Sequence, residues 1–395
     1  MATSRVSSLA RRMSGLRPST IREILKVTAQ PEVISFAGGL PAPELFPIDE
    51  IREVADGVLR ELGSEALQYG ESEGFRPLRE WIVTEMGRRG VTATVDQVLV
   101  TNGSQQVLDL IGKVMLDRGD VVLTETPTYL AAIQAFQVFE AEFVSVPTDT
   151  NGLIPELLPA FIERYRPKFL YTIPNFQNPT GITLSAERRE RIAQIAAEHE
   201  LLVVEDDPYG KLRYRGDDIP PIRHWDTAGV VLYASTFSKT IAPGLRVGWV
   251  VAPADLFEPL LILKQASDLH TSSFDQRVAH RYLTHFDQAA HLERIRSAYG
   301  ERFGVLDAAL HADLPSGYSW TTPDGGMFLW VTAPESVDTL ELLERSVEQK
   351  VAFVPGRDFF PADGGSNHLR LNFSNSTPER IREGVTRLGS LCHTL

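Results

Sequence analysis

The chain has 395 residues, 43% apolar and 23% charged, enough to bury a sizeable core in two or three domains. Its 39 Lys and Arg against 52 Asp and Glu leave a net charge of −13, so the basic surface that displaces counterions from nucleic acid is missing. One cysteine, Cys392, excludes a disulfide framework, the histidines show no metal-ligand spacing, and the longest apolar run (Val247 to Pro253) is far short of the ~20 residues that span a bilayer. The expectation is a cytoplasmic globular protein with no metal, no nucleic-acid partner and no membrane span.

The first 22 residues carry Arg5, Arg11, Arg12, Arg17 and Arg22 and several serines, with no acid before Glu23. That composition resembles an organellar transit peptide; the plainer reading is an arm leading into a first helix capped by Ser19 or Thr20, with Glu23 reaching back. From about residue 95 to 252, short β-branched runs alternate with helical periods. Strands are expected at Val98–Val100, Val121–Thr124, Glu142–Val146, Phe169–Ile173, Leu201–Glu205, Val230–Ala234 and Val247–Val251. Between the first two, the spacing of Val107, Leu108, Leu110, Ile111, Val114 and Met115 predicts an amphipathic helix closed by Gly119, and another helix is expected over Glu187–His199. Such alternation predicts an α/β fold, a mostly parallel sheet with helices on both faces. Only Ser235 to Arg246 joins the last two strands, too short for a helical crossover, so those strands should be antiparallel and the seven-stranded sheet mixed. Beyond Pro253 the texture changes to one long helical stretch, Gln276–Ala309, and two strands, Met327–Val331 and His368–Phe373. The expected division is an arm and first helix in residues 1–45 packing with a smaller α+β domain in 290–395, and a large domain in 46–289.

Four sites in the large domain carry chemistry. Thr101-Asn102-Gly103-Ser104-Gln105 follows a strand and opens a helix, where backbone N–H groups reached through a glycine bind phosphate; the same residues would also serve as a plain capped turn. Asn175 to Gly181, with Pro179 and Gly181 enforcing a turn, presents the Asn178 amide at the carboxyl edge of the sheet, where ligands of open α/β sheets bind. Glu205-Asp206-Asp207-Pro208-Tyr209 ends a strand in three carboxylates; one placed beside the crevice can hold a cationic ring nitrogen, while capping the next turn is the alternative for any of them. Finally, Lys239 sits in a hydroxyl- and glycine-rich loop, Ser235-Thr236-Phe237-Ser238-Lys239 running on to Arg246, between two buried strands. Burial lowers a lysine pKa and makes the amine nucleophilic, as Schiff-base chemistry requires, and Arg246 with the hydroxyls supplies a phosphate clamp.

Taken together, the hydroxyl-rich lysine loop, Asn178-Pro-Thr-Gly and Asp206-x-x-Tyr209 resemble the fold-type I, pyridoxal-phosphate-dependent class I/II aminotransferases. Within them the chain is most similar to the aminoadipate, kynurenine/aminoadipate and multi-substrate aromatic or branched-chain subgroup, from about Leu16 to Thr386. The resemblance implies pyridoxal 5′-phosphate as cofactor, with Lys239 forming the internal aldimine and moving the proton, Asp206 pairing with the pyridinium nitrogen, and Asn178 and Tyr209 binding the ring's 3-oxygen. It further implies phosphate contacts from Gly103, Ser104, Gln105, Thr236, Ser238 and Arg246, and Tyr129 stacked on the ring. Thr236 stands where relatives often have serine. For the substrate, it implies Arg370 gripping the α-carboxylate, Gly39 in the turn beside it, and Arg22 meeting a distal carboxylate, though Arg22 is also an ordinary solvated helix arginine. Tyr69 would reach the phosphate of a neighbouring subunit, making the expected partner a second copy of the chain.

The implied activity moves an amino group from an L-amino acid to a 2-oxo acid such as 2-oxoglutarate by ping-pong half-reactions. A lyase, decarboxylase or cyclase acting on an amino acid is the alternative, since the cofactor-binding residues are shared; Arg370 favours transamination. A cofactor-sensing regulator would need a helix-turn-helix segment of ~60 residues ahead of the core.

Overall fold

The structure, a computed structural model, describes residues 9–16 and 30–394. In chain order its principal elements begin with β1 (Ile34–Ser35), α1 (Ile48–Ala66), α2 (Arg76–Arg88), β2 (Val98–Thr101), α3 (Ser104–Met115), β3 (Val121–Thr124), α4 (Leu130–Gln137) and β4 (Glu142–Ser145). There follow α5 (Leu158–Tyr165), β5 (Phe169–Thr172), α6 (Ala186–Glu198), β6 (Leu202–Asp206), β7 (Val231–Thr236), β8 (Gly248–Val251), α7 (Ala254–Asp268), α8 (Ser273–His285) and α9 (Gln288–Asp313). The chain closes with β9 (Ser319–Trp320), β10 (Phe328–Thr332), α10 (Thr339–Glu348), β11 (Val351–Ala352), β12 (Val354–Pro355), β13 (His368–Asn372) and α11 (Pro378–Cys392).

All seven expected strands join one sheet in the order β2-β8-β7-β6-β5-β3-β4. Every pairing is parallel except those of β8, which runs against both β7 and β2, as the short Ser235–Arg246 connection requires. The central strands β5, β6 and β7 are buried throughout, which is why each opens on a run of apolar residues before its polar carboxyl end. Helices cover both faces. On one, Leu99, Val204 and Tyr171 pack with Val107 and Ile111 of α3, in a cluster that continues to Phe328 and Leu371 of the smaller sheet and Val385 of α11. On the other, Val98, Val100 and Trp249 meet Leu78, Ile82, Val54 and Tyr282.

The smaller sheet, β9-β10-β13-β12, is antiparallel and contains both strands expected in the C-terminal part. Near the N-terminus, β1 pairs in parallel with β11. Two expectations need correction. The helical stretch from Gln276 is not continuous: it breaks at Phe286, and Asp287 starts α9 afresh by accepting from the Ala290 N–H at 3.0 Å. Helix α3 ends at Met115 rather than at Gly119, which instead takes the left-handed conformation (φ 84°) in the turn before β3. The expected first helix, with Ser19, Thr20, Arg22 and Glu23, lies outside the described residues. No helix among the described residues is long and apolar enough to cross a membrane.

Candidate active site

The carboxyl ends of β5, β6 and β7, the N-terminus of α3 and strands β10 and β13 enclose a cavity of about 390 Å³. Its wall includes Gly39, Ser104, Gln105, Tyr129, Asn178, Asp206, Tyr209, Thr236, Ser238, Lys239, Arg246 and Arg370. Residues separated by up to 331 positions thus converge on one space.

Strand β6 ends in three carboxylates that the fold sends to three destinations. Glu205 accepts the backbone N–H groups of Ile222 and Arg223, at 2.7 and 3.0 Å. Asp207 is held by Arg89 at 2.8 Å, Asn175 Nδ2 at 2.9 Å and the Tyr233 hydroxyl at 2.9 Å. Asp206 faces the cavity: the Tyr171 hydroxyl donates to its Oδ2 at 2.8 Å, while its buried Oδ1 has no partner among the described residues. Burial raises the Asp206 pKa to about 7, the Tyr171 hydrogen bond lowers it, and the charge of Asp207 adds to the rise. A buried acceptor without a donor costs about 1–3 kcal/mol, which a bound N–H would recover.

Lys239 lies at the end of a short turn, Phe237–Lys239, whose first N–H groups are organised by Thr236: its Oγ1 accepts from Ser238 N at 3.2 Å and donates to the Val247 carbonyl at 3.1 Å. The Lys239 ammonium donates to the Gly39 carbonyl at 2.8 Å and forms no ion pair among the described residues. Burial, then the like charges of Arg370 and Arg246, bring its pKa down to about 8. About a tenth of the amine is therefore neutral at pH 7, far more than for an ordinary lysine.

Across the cavity, Arg370 of β13 is 2% exposed, donates to Asn178 Oδ1 at 2.8 Å and to the Ala37 carbonyl at 2.6 Å, and stacks over Phe328 at 4.2 Å. Its Nε has no partner among the described residues. Asn178, whose bond to Pro179 is cis, also donates to the Tyr209 hydroxyl at 3.4 Å. The opposite end is an anion cradle. Gly103 precedes α3 at φ 76°, where a Cβ would lie 2.5 Å from an Arg246 nitrogen, and a Cβ on Gly248 would stand 2.6 Å from the Gly103 backbone. Arg246 itself adopts a left-handed backbone (φ 51°), rare for a residue with a side chain, and donates to the Asn102 carbonyl at 3.1 Å. With the α3 N-terminus and Ser238, it offers a dianion several donors and a positive charge.

The pattern that defines aminotransferase class I and II matches residues 33–388. The chain belongs to that family. It is 43% identical over 380 residues to an aromatic-amino-acid aminotransferase of Thermococcus litoralis, covering 95% of this chain and 91% of the relative. Among solved structures, a multiple substrate aminotransferase from Thermococcus profundus superposes with a TM-score of 0.94 at 42% identity, covering 99% of each chain. The α-aminoadipate aminotransferase of Thermus thermophilus, solved with N-(5′-phosphopyridoxyl)-L-leucine, gives 0.93 at 40% identity, again over 99% of each. As an aminotransferase of this class the chain uses pyridoxal phosphate, and its residues fit that group: an unpartnered buried carboxylate oxygen for a ring N–H, a lysine for an aldehyde, and a glycine-bordered cradle for a phosphate.

Among the described residues, two expected site residues, Gly103 and Tyr69, do not line this cavity; Gly103 stands just before the first turn of α3. Tyr69 is 78% exposed on the turn after α1, edge-on to His270 at 5.7 Å, and Arg22 lies outside the described residues. The sequence reading missed Tyr171, Phe328 and Arg189. Completely buried, Arg189 ties the Asn175 turn to helix α6 through the Pro174 carbonyl (2.9 Å) and Asn175 Oδ1 (2.7 Å).

Proposed function

We propose that this aminotransferase takes its amino group from an aromatic, branched-chain or aminoadipate-like L-amino acid and delivers it to a 2-oxo acid such as 2-oxoglutarate. The observation that carries the reading is Arg370, a buried guanidinium with an uncommitted Nε on the wall that also holds Lys239 and Asp206. An α-carboxylate docked on such a planar fork has its α carbon oriented as well as its charge neutralised. Leu40, Ile173, Pro243 and Phe328 give the rest of the cavity apolar surface suited to aromatic or branched side chains. The relatives named for aromatic, multiple and α-aminoadipate substrates point to the same range. An acidic donor would need a second cation, the role proposed for Arg22.

Bound pyridoxal phosphate supplies an electron-withdrawing ring that accepts the electron pair left at the donor's α carbon. Lys239 would hold the cofactor by condensing its amine with the aldehyde, with loss of water, and, once a donor amine had taken its place, the freed amine would move the proton from the donor's α carbon. Asp206 would hold the ring nitrogen's proton, Asn178 and Tyr209 would hydrogen-bond the ring's 3-oxygen, Tyr129 would stack on the ring, and Gly39 would border the substrate. The N–H groups of Gly103, Ser104 and Gln105, with Thr236, Ser238 and Arg246, would hold the cofactor's phosphate. Exposure of Tyr69 and of nearby Leu67 supports a homodimer in which Tyr69 serves the partner subunit's phosphate, and we read the enzyme as cytoplasmic. Residues 46–289 would form its cofactor-binding domain and 290–395, joined by the arm in 1–45, its smaller one.

Single amino acids added to the purified enzyme, with no oxo acid present, are expected to bleach the visible absorption of the bound cofactor for aromatic, branched or aminoadipate-like donors. Release of carbon dioxide or ammonia with the band unchanged would reject the reading. The lysine sets a pH dependence as well. Only the neutral amine attacks the aldehyde, so cofactor uptake by the stripped enzyme should quicken as pH rises, with a midpoint near 8. Arg370→Met removes a like charge and should move that midpoint upward, toward an ordinary lysine. A stopped-flow pH profile of the two proteins checks it, and an unshifted midpoint refutes the electrostatic coupling.

A further inference from the structure

Behind the Thr101–Gln105 turn, outside the cavity, lies a polar cluster centred on a lysine. Lys264 of α7 is completely buried, and its ammonium donates to Gln106 Oε1 at 2.8 Å, Asp268 Oδ2 at 2.8 Å and Thr271 Oγ1 at 3.0 Å. All three of its protons are thus committed, and Asp268 balances its charge. Asp268 Oδ2 also accepts from Gln106 Nε2 at 2.8 Å and from Asn102 Nδ2, and Gln106 Oε1 accepts the Asn102 backbone N–H at 2.8 Å. The Asn102 carbonyl accepts from Arg246. The residue preceding Gly103 is therefore held at its N–H, its side chain and its carbonyl.

A second branch leaves through Thr271. Its Oγ1 donates to the Val100 carbonyl at 3.3 Å, and its own carbonyl accepts from His270 Nδ1 at 2.8 Å. His270 Nε2 in turn accepts the N–H of Gly70, next to Tyr69, at 3.3 Å. The same ammonium stands behind both the phosphate cradle and the segment that carries Tyr69.

We propose that Lys264 is a positioning residue for the cofactor phosphate: through Asp268, Gln106 and Asn102 it fixes the turn so that the Gly103–Gln105 N–H groups already point at the ligand. A buried network that holds Asn102 at three points leaves it few low-energy arrangements, so the turn gives up little freedom when the dianion arrives. The inference rests on the reading of this turn as the phosphate site.

The test compares pyridoxal phosphate with pyridoxal, which has the same ring and aldehyde but no phosphate, by equilibrium dialysis against the full-length enzyme stripped of cofactor. Wild-type protein should bind the phosphate form far more tightly. In Lys264→Met, affinity for pyridoxal phosphate is expected to fall ~10-fold or more, as loss of an outer-shell partner does for other bound groups, with pyridoxal affinity within about 2-fold of wild type. Asn102→Ala cuts the link to the turn and leaves the Lys264–Asp268 pair in place, so it should reproduce the selective loss even where Lys264→Met does not fold. Equal weakening of both ligands, or no weakening in either variant, overturns the proposal. A wild-type enzyme that does not distinguish the two ligands overturns the phosphate assignment beneath it.

Discussion

Lys239→Ala is expected to end turnover, with a fall of ~10³–10⁴-fold in kcat, the scale on which a positioned proton carrier contributes. Its amine has two successive tasks in the proposed mechanism, covalent attachment of the aldehyde and proton transfer at the α carbon. The first depends on the neutral form, present because burial and the charges of Arg370 and Arg246 hold the pKa near 8. The second depends on reach, and the hydrogen bond to the Gly39 carbonyl already places the ammonium against the turn assigned to the substrate. Alanine removes both while leaving the phosphate cradle and Asp206 untouched, so pyridoxal phosphate should still bind, without a covalent bond. Steady-state rates, and the absorption spectrum before and after gel filtration, check the two halves separately. Full activity in the variant would remove the assignment.

The parts legible in the sequence were those whose cause is local. Strands β5, β6 and β7 are buried on both faces, so their apolar runs carry no helical period, and the brief Ser235–Arg246 link betrays the reversal at β8. The four candidate motifs are contiguous, each holding its side chains within a few residues of a strand end. What stayed hidden depends on distant contacts. Tyr171 looks like one more core residue of β5, and only pairing with β6 brings its hydroxyl to Asp206. Arg89, just past the end of α2, and Arg189, within α6, read as solvated, whereas the fold turns the first onto Asp207 and buries the second against the Asn175 turn. The break at Phe286 was missed because apolar periodicity persists from Tyr282 to Ile295 with no glycine or proline between; Asp287, three residues before the N–H it caps, was the available signal.

Replacing Asp206 by asparagine should separate charge from shape. The isosteric amide keeps the packing around Tyr171 yet cannot draw a proton onto the ring nitrogen, so a loss of ~10²–10³-fold in kcat is expected, as when one preorganised electrostatic contact is removed. Stability should respond in the opposite sense. In the unliganded chain the Asp206 pKa is raised from 3.8 to about 7, by burial and then by the neighbouring Asp207 charge against the Tyr171 hydrogen bond. A raised carboxyl favours the folded state fully only below its unfolded value, and that benefit disappears as pH climbs through about 7. Stripped wild-type protein should therefore lose ground to stripped Asp206→Asn between about pH 4 and pH 7. Glu125 and Glu205, which burial also raises to about 7, are common to both proteins and cancel in the comparison. Once pyridoxal phosphate is bound, its ring N–H supplies the partner that Oδ1 lacks, so at pH 8 the order of the two melting temperatures should invert. Paired melts at pH 5 and pH 8, with and without cofactor, settle this. A difference between the two proteins that ignores both pH and cofactor would mean that Asp206 is a packing residue and that the ring nitrogen finds its partner elsewhere.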